Sequence, residues 1–431
     1  MTIEKLDKKS LITLFTGMAA NILEWYDFAV YGYLAPIIAD LFFPSDDPMV
    51  SLISTFGVFA AGFFMRPLGG FVFGHIGDKY GRKKALALSI FLMAIPTALI
   101  GLLPTYAQIG VWAAVLLTIF RLLQGLSVGG AYTTSVSFLV EHAPEDKRAF
   151  YGSFSIFGAI VGILLGSAVA AVVTGMLDND SLYSWGWRAV FIIGIVLGIF
   201  GVFISKKVEE TPTFKKLEEA EEIERFPLFK ALKEDPSDFF KAIGLSTFQA
   251  AAFYILFVYL TTYESKVFKE FLNVDFPFST ALTINTISMI VLVAFIPFMA
   301  RLSDKIGRKP VILASTLLVI ILSYPLFILI TKATVISVLT AQVIFAIITS
   351  AFMGTLPTTL VELFPAKIRN SAYSVSYNIA LALFGGTAPL IATYLIKTTG
   401  NILSPSFYLI ATALVAFICG LLIRETFKEK I

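Results

Sequence analysis

Four ionisable residues stand where the surrounding chain is almost wholly apolar: Glu24 and Asp27 in NILEWYDFAVYGY, Arg66 in FMRPLGG and Arg121 in FRLLQG. Inserting such a side chain into a membrane segment costs at least about 2.5–3.5 kcal/mol, so it faces protein or a water-filled cavity. Glu24 and Asp27 are three residues apart and share one face of a helix. A carboxylate beside an arginine in a low-dielectric cavity is switchable. Desolvation favours its neutral form, the cation favours its charged form, and admitting water changes the balance. A proton carrier needs this property; Asp27, with Glu24 second, is the candidate. Arg121, near Gln124, is suited to holding a substrate carboxylate by two hydrogen bonds. Arg66, ahead of Pro67, suits the same task or that of counter-ion to Asp27. Tyr31 flanks the two carboxylates with Trp25 and Tyr26, and is a candidate for lining the site. The plain alternative is a fixed ion-pair network that pins these segments together.

The elements that must hold these residues are membrane helices. Of 431 residues, 57% are hydrophobic and 15% charged, with a mean hydropathy of +0.83. A soluble domain carries about 45–50% apolar and about 25% charged residues, so this composition describes an integral membrane protein. One cysteine, Cys419, excludes a disulfide scaffold, a zinc ribbon or an iron–sulfur protein. Two histidines, His75 and His142, speak against a histidine-built metal site. A net charge of +3 gives no reason to expect nucleic acid. The start, MTIEKLDKKSLITLF, lacks a small-residue cleavage site, so the first apolar run is expected in the mature protein.

A crossing helix needs about 20 mostly apolar residues. Such spans are predicted near 11–42, 50–77, 84–104, 108–141, 149–177 and 187–206, then 241–264, 277–301, 309–331, 334–362, 369–397 and 401–424. None alternates as a barrel strand would, so the expected fold is all-α, with twelve spans. Twenty-six of the 33 Lys and Arg fall on the side of the N-terminus, five on the other and two, Arg66 and Arg121, inside spans. The bias predicts that both termini are cytoplasmic. The hydrophilic stretch 207–240 divides an N-terminal half, 1–206, from a C-terminal half, 241–431, and reads as a cytoplasmic linker with a surface helix.

The halves repeat each other. GHIGDKYGRKK follows span 2 and ARLSDKIGRKP follows span 8, so Asp78 matches Asp304, Gly81 matches Gly307 and Arg82 matches Arg308 at an offset of 226. EHAPEDKR after span 4 and ELFPAKIR after span 10 match Glu141 with Glu362 and Arg148 with Arg369 at 221. The same offsets place Ala250, Phe253, Leu292 and Gln342 opposite Glu24, Asp27, Arg66 and Arg121. The loop chemistry is duplicated and the four buried charges are not. Parallel halves of this kind are related by an axis along the membrane normal, with a substrate site near mid-membrane. Asp78 is expected to accept from amides at a helix start and to pair with Arg82 as a gating latch. Arg148 and Arg369, with Glu141 and Glu362, read as the same kind of latch in the other intracellular loops.

The loop G-x-x-x-D-K-x-G-R-K-K resembles the signature of the major facilitator superfamily. NILEWYDFAVYGY, FMRPLGGFVFGHIGDKYGRKK, RLLQGLSVGGAYTTS, and WGWRAVF with EETPTF beyond it, resemble its metabolite–proton symporter family, which includes proline/betaine, α-ketoglutarate, citrate and shikimate transporters. The resemblance implies the two-half facilitator fold, alternating access in a bacterial inner membrane, and proton symport of a small carboxylate-bearing metabolite. Arg121 with VFAAGFFMRP leans toward the α-ketoglutarate-like members, whose cargoes are organic anions, with the zwitterions proline and betaine close behind; the alternative is export or antiport, including of a citrate-type chelator. No proline interrupts GAIVGILLGSA in span 5, unlike drug–proton antiporters, which favours symport. Ala131 stands where the family usually has Glu, so no role rests on that carboxylate. The chain ends a few residues after span 12, without the coiled-coil extension of osmosensing members, so osmotic gating is not implied. No catalytic or nucleotide-binding motif is present, so no enzyme is expected. The expected partners are a small-molecule substrate, a proton and lipid, with no cofactor or metal. Both halves lie in one chain, which suits a functional monomer.

Overall fold

A computed structural model describes residues 8–46, 48–206, 209–224 and 227–429. Lys5, Lys207, Arg225 and Lys430, which enter the orientation argument, lie outside the described residues. Those described form helices joined by short turns, with no strand among them. Nine helical segments among them are long and apolar enough to cross a membrane: Arg82–Leu102, Val111–His142, Glu145–Met176, Pro236–Leu272, Phe278–Ile306, Arg308–Ile330, Val335–Leu363, Arg369–Thr399 and Ser404–Leu422. They correspond to spans 3, 4, 5 and 7 to 12. Span 6 is Trp187–Lys206, and spans 1 and 2 complete the twelve.

Spans 1 and 2 depart from the expected continuous helices. Span 1 is Lys8–Tyr33 followed by Ala35–Phe42, and span 2 is Pro48–Phe64 followed by Arg66–Tyr80. Pro36 and Pro67 cause the interruptions. Proline lacks an N–H and crowds the preceding turn, so the chain restarts with proline in the first turn of the second piece. Span 7 runs past the predicted end at 264 to Leu272, with wider π-type winding over Ile255–Tyr259 and Tyr263–Leu272. Span 11 widens over Leu381–Gly385 and restarts at Ala388 with Pro389 in its first turn.

By its internal contacts the chain forms two compact units. Unit 1 comprises Met1–His142, Phe154–Leu228 and Ala366–Val375; unit 2 comprises Ala143–Ser153, Phe229–Pro365 and Ser376–Ile431. The linker is therefore shared between the units, and each takes in the start of a span from the other half. The linker contains two helices, Pro212–Glu219 and Pro227–Glu234. The first is a surface helix with one covered face: Phe214 and Leu217 are buried, and Lys215, Lys216, Glu218 and Glu219 are exposed.

In lipid, helices gain little hydrophobic drive toward each other, so close packing depends on small residues. Within unit 1, Gly158, Gly162 and Gly166 of span 5 face Met18, Ile22 and Tyr26 of span 1. A Cβ on Gly162 would come within 2.5 Å of the Ile22 carbonyl oxygen. Gly69 and Gly129 bring spans 2 and 4 together in the same way. These contacts fix the backbones that carry Glu24, Asp27, Arg66 and Arg121.

Candidate functional site

Unit 1 buries Glu24, Asp27, Arg66 and Arg121 of spans 1, 2 and 4. Asp27 Oδ2 accepts from Arg121 Nη1, and Oδ1 accepts from Gln124 Nε2 at 2.9 Å. The Thr97 hydroxyl of span 3 lies 3.0 Å from Oδ1 and 2.8 Å from the Met93 carbonyl, with one proton to share. Arg121 Nη1 also donates to Gln124 Oε1 at 2.8 Å. The guanidinium lies 4.3 Å from the centre of the Tyr31 ring and 5.1 Å from that of Phe28. Tyr31 is held by its own hydroxyl, which donates to the Thr55 carbonyl at 3.1 Å. Asp27 thus has a cation and two neutral donors, which suits a charged carboxylate in a dry interior.

Glu24 shares the face of span 1 with Asp27 but takes a different partner. Its carboxylate lies 3.9 Å from Arg66, and both of its oxygens are buried without a hydrogen bond. Arg66, at the restart of span 2, lies 5.6 Å from the Phe63 ring centre. Of the two tasks proposed for Arg66, that of counter-ion to Asp27 falls to Arg121. The break before Pro67 places Arg66 beside Glu24. Arg121, the candidate for a substrate carboxylate, is engaged by Asp27 here.

Unit 2 contains a carboxylate that sequence reasoning missed. Glu264 of span 7 is buried; Gln342 Nε2 donates to its Oε1 at 2.6 Å, and Ser288 Oγ donates to Gln342 Oε1 at 3.1 Å. It escaped notice because span 7 was expected to end at 264, which places a Glu at a wet boundary. The available signal was the offset of 221, which makes Gln342 the counterpart of Arg121.

The repeated loops form two networks of one design. In unit 1, Asp78 accepts from the amides of Asn370 and Ser371 at 3.0 and 2.8 Å, at the N-terminus of helix Arg369–Ala380, where an anion meets free N–H groups and the positive end of the dipole. Arg82 lies 3.2 Å from Asp78 and grips Glu141 through Nε and Nη2 at 3.1–3.2 Å, while Arg369 donates to Glu141 at 3.0 Å. In unit 2, Asp304 accepts from the amides of Ala149 and Phe150, both at 2.9 Å, at the start of helix Arg148–Met176. Arg308 donates to Asp304 at 2.9 Å and to Glu362 at 3.0 Å, and Arg148 lies 3.7 Å from Glu362. Gly81 and Gly307 turn the chain between spans at φ of 103° and 104°, a backbone region that favours glycine.

A further repeated element, one Glu-Thr pair in each unit, was not recognised from sequence. Glu210 accepts from the Lys83 amide at 3.1 Å, and Thr211 Oγ1 donates to Glu141 at 2.6 Å. Glu425 accepts from the amides of Arg308 and Lys309 at 2.9 and 3.0 Å, and Thr426 Oγ1 donates to Glu362 at 2.6 Å. The signal was present in the pair Glu-Thr, once in EETPTF and once in RETFKE. Burial pushes the Glu210 carboxyl above the usual range, against the pull of its amide donors and Arg82.

Comparison with known proteins bears on what these networks serve. The family "Sugar (and other) transporter" matches residues 12–226 and "Major Facilitator Superfamily" matches residues 268–430. The proline/betaine transporter of Escherichia coli K12 is 36% identical over 433 residues, covering 97% of this chain and 84% of the relative. The glycine betaine/proline/ectoine/pipecolic acid transporter OusA of Dickeya dadantii is 35% identical over 419 residues, covering 94% and 81%. Among solved structures, the proton:xylose symporter XylE bound to 6-bromo-6-deoxy-D-glucose superposes with a TM-score of 0.77 at 18% identity, covering 97% of this chain and 96% of that one. At that identity the likeness shows the fold alone.

Proposed function

Because the chain belongs to the major facilitator superfamily, as a relative of the proline/betaine transporters, and is thus a multi-pass membrane transporter and not an enzyme, we propose that it imports a zwitterionic osmolyte of the proline or betaine kind together with protons. The names of its relatives favour a zwitterion over an organic acid such as α-ketoglutarate or citrate. The proposed setting is the bacterial inner membrane, with both termini cytoplasmic and a single chain as the working unit.

The observation that carries the coupling is that Asp27 occupies Arg121. A bidentate grip on a substrate carboxylate needs the guanidinium that Asp27 now holds. Protonation of Asp27 removes its charge and weakens its hold, so Arg121 becomes available to the substrate. Substrate release followed by deprotonation restores the pair. Proton and carboxylate thereby bind in support of one another through a shared cation, which is a coupling free energy between two ligands. Gln124 and Thr97 position Asp27 throughout, and the ring of Tyr31 keeps the guanidinium plane fixed. In this reading Asp78, Asp304 and their arginines serve as latches that break and re-form during alternating access.

Uptake into proteoliposomes under an imposed inward proton gradient tests the proposal, with labelled proline, glycine betaine, α-ketoglutarate, citrate and shikimate. Proline or glycine betaine is expected to accumulate above equilibrium, an uncoupler to abolish this, and Asp27→Asn only to equilibrate it. Accumulation of an organic acid alone overturns the cargo. Undiminished accumulation by the variant overturns the role of Asp27.

A further inference from the structure

Glu264 takes no part in the cycle just described, and its surroundings differ from those of Asp27 in one respect. Both carboxylates are wholly buried. Asp27 has an arginine, an amide and a hydroxyl within hydrogen-bonding distance. Glu264 receives one hydrogen bond, from the neutral amide of Gln342, and its Oε2 is buried with no partner. Among the described residues, the one side chain that hydrogen-bonds to it is neutral. Span 8 presents Ser288, which donates to Gln342 Oε1, and span 10 presents Gln342. On span 7, the Tyr263 hydroxyl donates to the Ile402 carbonyl at 2.8 Å, and the Tyr259 hydroxyl receives Thr393 Oγ1 at 3.3 Å. Lys266 and Lys269 of the same helix are exposed. Among the described residues, no Lys, Arg or His forms an ion pair with Glu264.

Removing an ionised carboxylate from water costs several kcal/mol after relaxation, a penalty that a cation or several donors can offset. One neutral amide does not, and a carboxyl in such a site takes up a proton instead. The position that would supply the cation is occupied by Gln342, the counterpart of Arg121 under the repeat. We infer that Glu264 is a second proton-binding site, in unit 2, which holds a proton in the structure seen here and contributes its own protonation step to transport. The two units thus hold a buried carboxyl in opposite charge states, an ion pair around Asp27 and a neutral acid around Glu264, and of these residues only Gln342 and Arg121 correspond under the repeat. The protonation itself stands apart from the symport proposal; the coupling role rests on it.

Infrared difference spectroscopy of the full chain in lipid, at neutral pH, tests the protonation. The carbonyl stretch of a buried protonated carboxyl is expected in the wild type and in Asp27→Asn. It is expected to be lost in Glu264→Gln. It is also expected to be lost in Gln342→Arg, which supplies the missing cation and serves if Glu264→Gln fails to fold. An undiminished band in Glu264→Gln, or in Gln342→Arg, overturns the inference. Transport adds a readout that a packing role would not move. Glu264→Gln is expected to retain substrate exchange at equal pH while its proton-to-substrate ratio falls below that of the wild type. An unchanged ratio overturns the coupling role. Failure of the Asp27 proposal would instead show as an unchanged ratio in Asp27→Asn, whatever the band of Glu264 does.

Discussion

Arg121 is held on one side by a carboxylate and on the other by an aromatic face, so its substitutions separate charge from shape. Arg121→Met leaves Asp27 buried without its cation, a change that typically costs about 3–5 kcal/mol. Thermal unfolding in detergent is expected to show a large fall in midpoint. Adding Asp27→Asn should restore most of the loss, because the buried charge disappears with its partner. Equal instability of the single and double variants would contradict the pairing. Arg121→Lys keeps the charge but loses the planar fork and its fit against the Tyr31 ring. It is expected to fold near wild type and to raise the KM for proline or betaine at least tenfold in uptake assays. Glu24 and Asp27 were recognisable as one helix face, yet which arginine each would meet was not. Asp27 and Arg121 are 94 residues apart in sequence, and no local pattern ranks two arginines that share the same chemistry.

Helix packing decides how accurately these side chains are held. At Gly162, an added Cβ meets the backbone of Ile22, which cannot swing aside as a side chain would. Overpacking of this kind costs about 1–3 kcal/mol, so Gly162→Ala is expected to lower the unfolding midpoint and slow uptake together. Gly175, on the same helix, has nothing within 4 Å of a Cβ. Its alanine variant should lose no stability, since alanine in a helix gains about 0.5–1 kcal/mol over glycine. At Gly81, φ of 103° with ψ of 149° lies in a region open mainly to glycine, where strain of about 1–3 kcal/mol is expected for another residue. Gly81→Ala and Gly307→Ala should therefore lose comparable stability in the same unfolding assay, and a large difference between them would speak against equivalent turns. The interruptions of spans 1 and 2 were foreseeable from Pro36 and Pro67, whereas span 7 reached Leu272 because winding and burial override a hydropathy boundary drawn at the first acidic residue.

Across the molecule, each unit contains one aspartate seated on the start of a helix and one arginine that joins it to a glutamate. Replacing Asp78 or Asp304 by Asn keeps the size and removes the charge that the helix terminus favours. The interaction is worth up to about 2 kcal/mol when partly buried, so both variants should fold. In proteoliposome uptake the expected result is a lower kcat with KM within twofold of wild type, because neither aspartate touches the Asp27 and Arg121 pair proposed to meet the substrate. A change confined to KM would remove these residues from the latch.

The sequence by itself determined the membrane class, the twelve spans and the repeated loops, because hydropathy, proline and glycine act over a few residues and recur wherever the chain does. It also singled out Asp27, Glu24, Arg66 and Arg121, since a charge in an apolar run is visible without any knowledge of its neighbours. Only the tertiary structure decided that Asp27 takes Arg121 and Glu24 lies beside Arg66, that Glu141 pairs with Arg369 and Glu362 with Arg148, that the Glu-Thr pairs close the loop networks, and that Glu264 is buried against Gln342. The physical reason is the same in each case. The energy of a buried charge depends on the donors and cations around it, and those arrive from helices far apart in the chain.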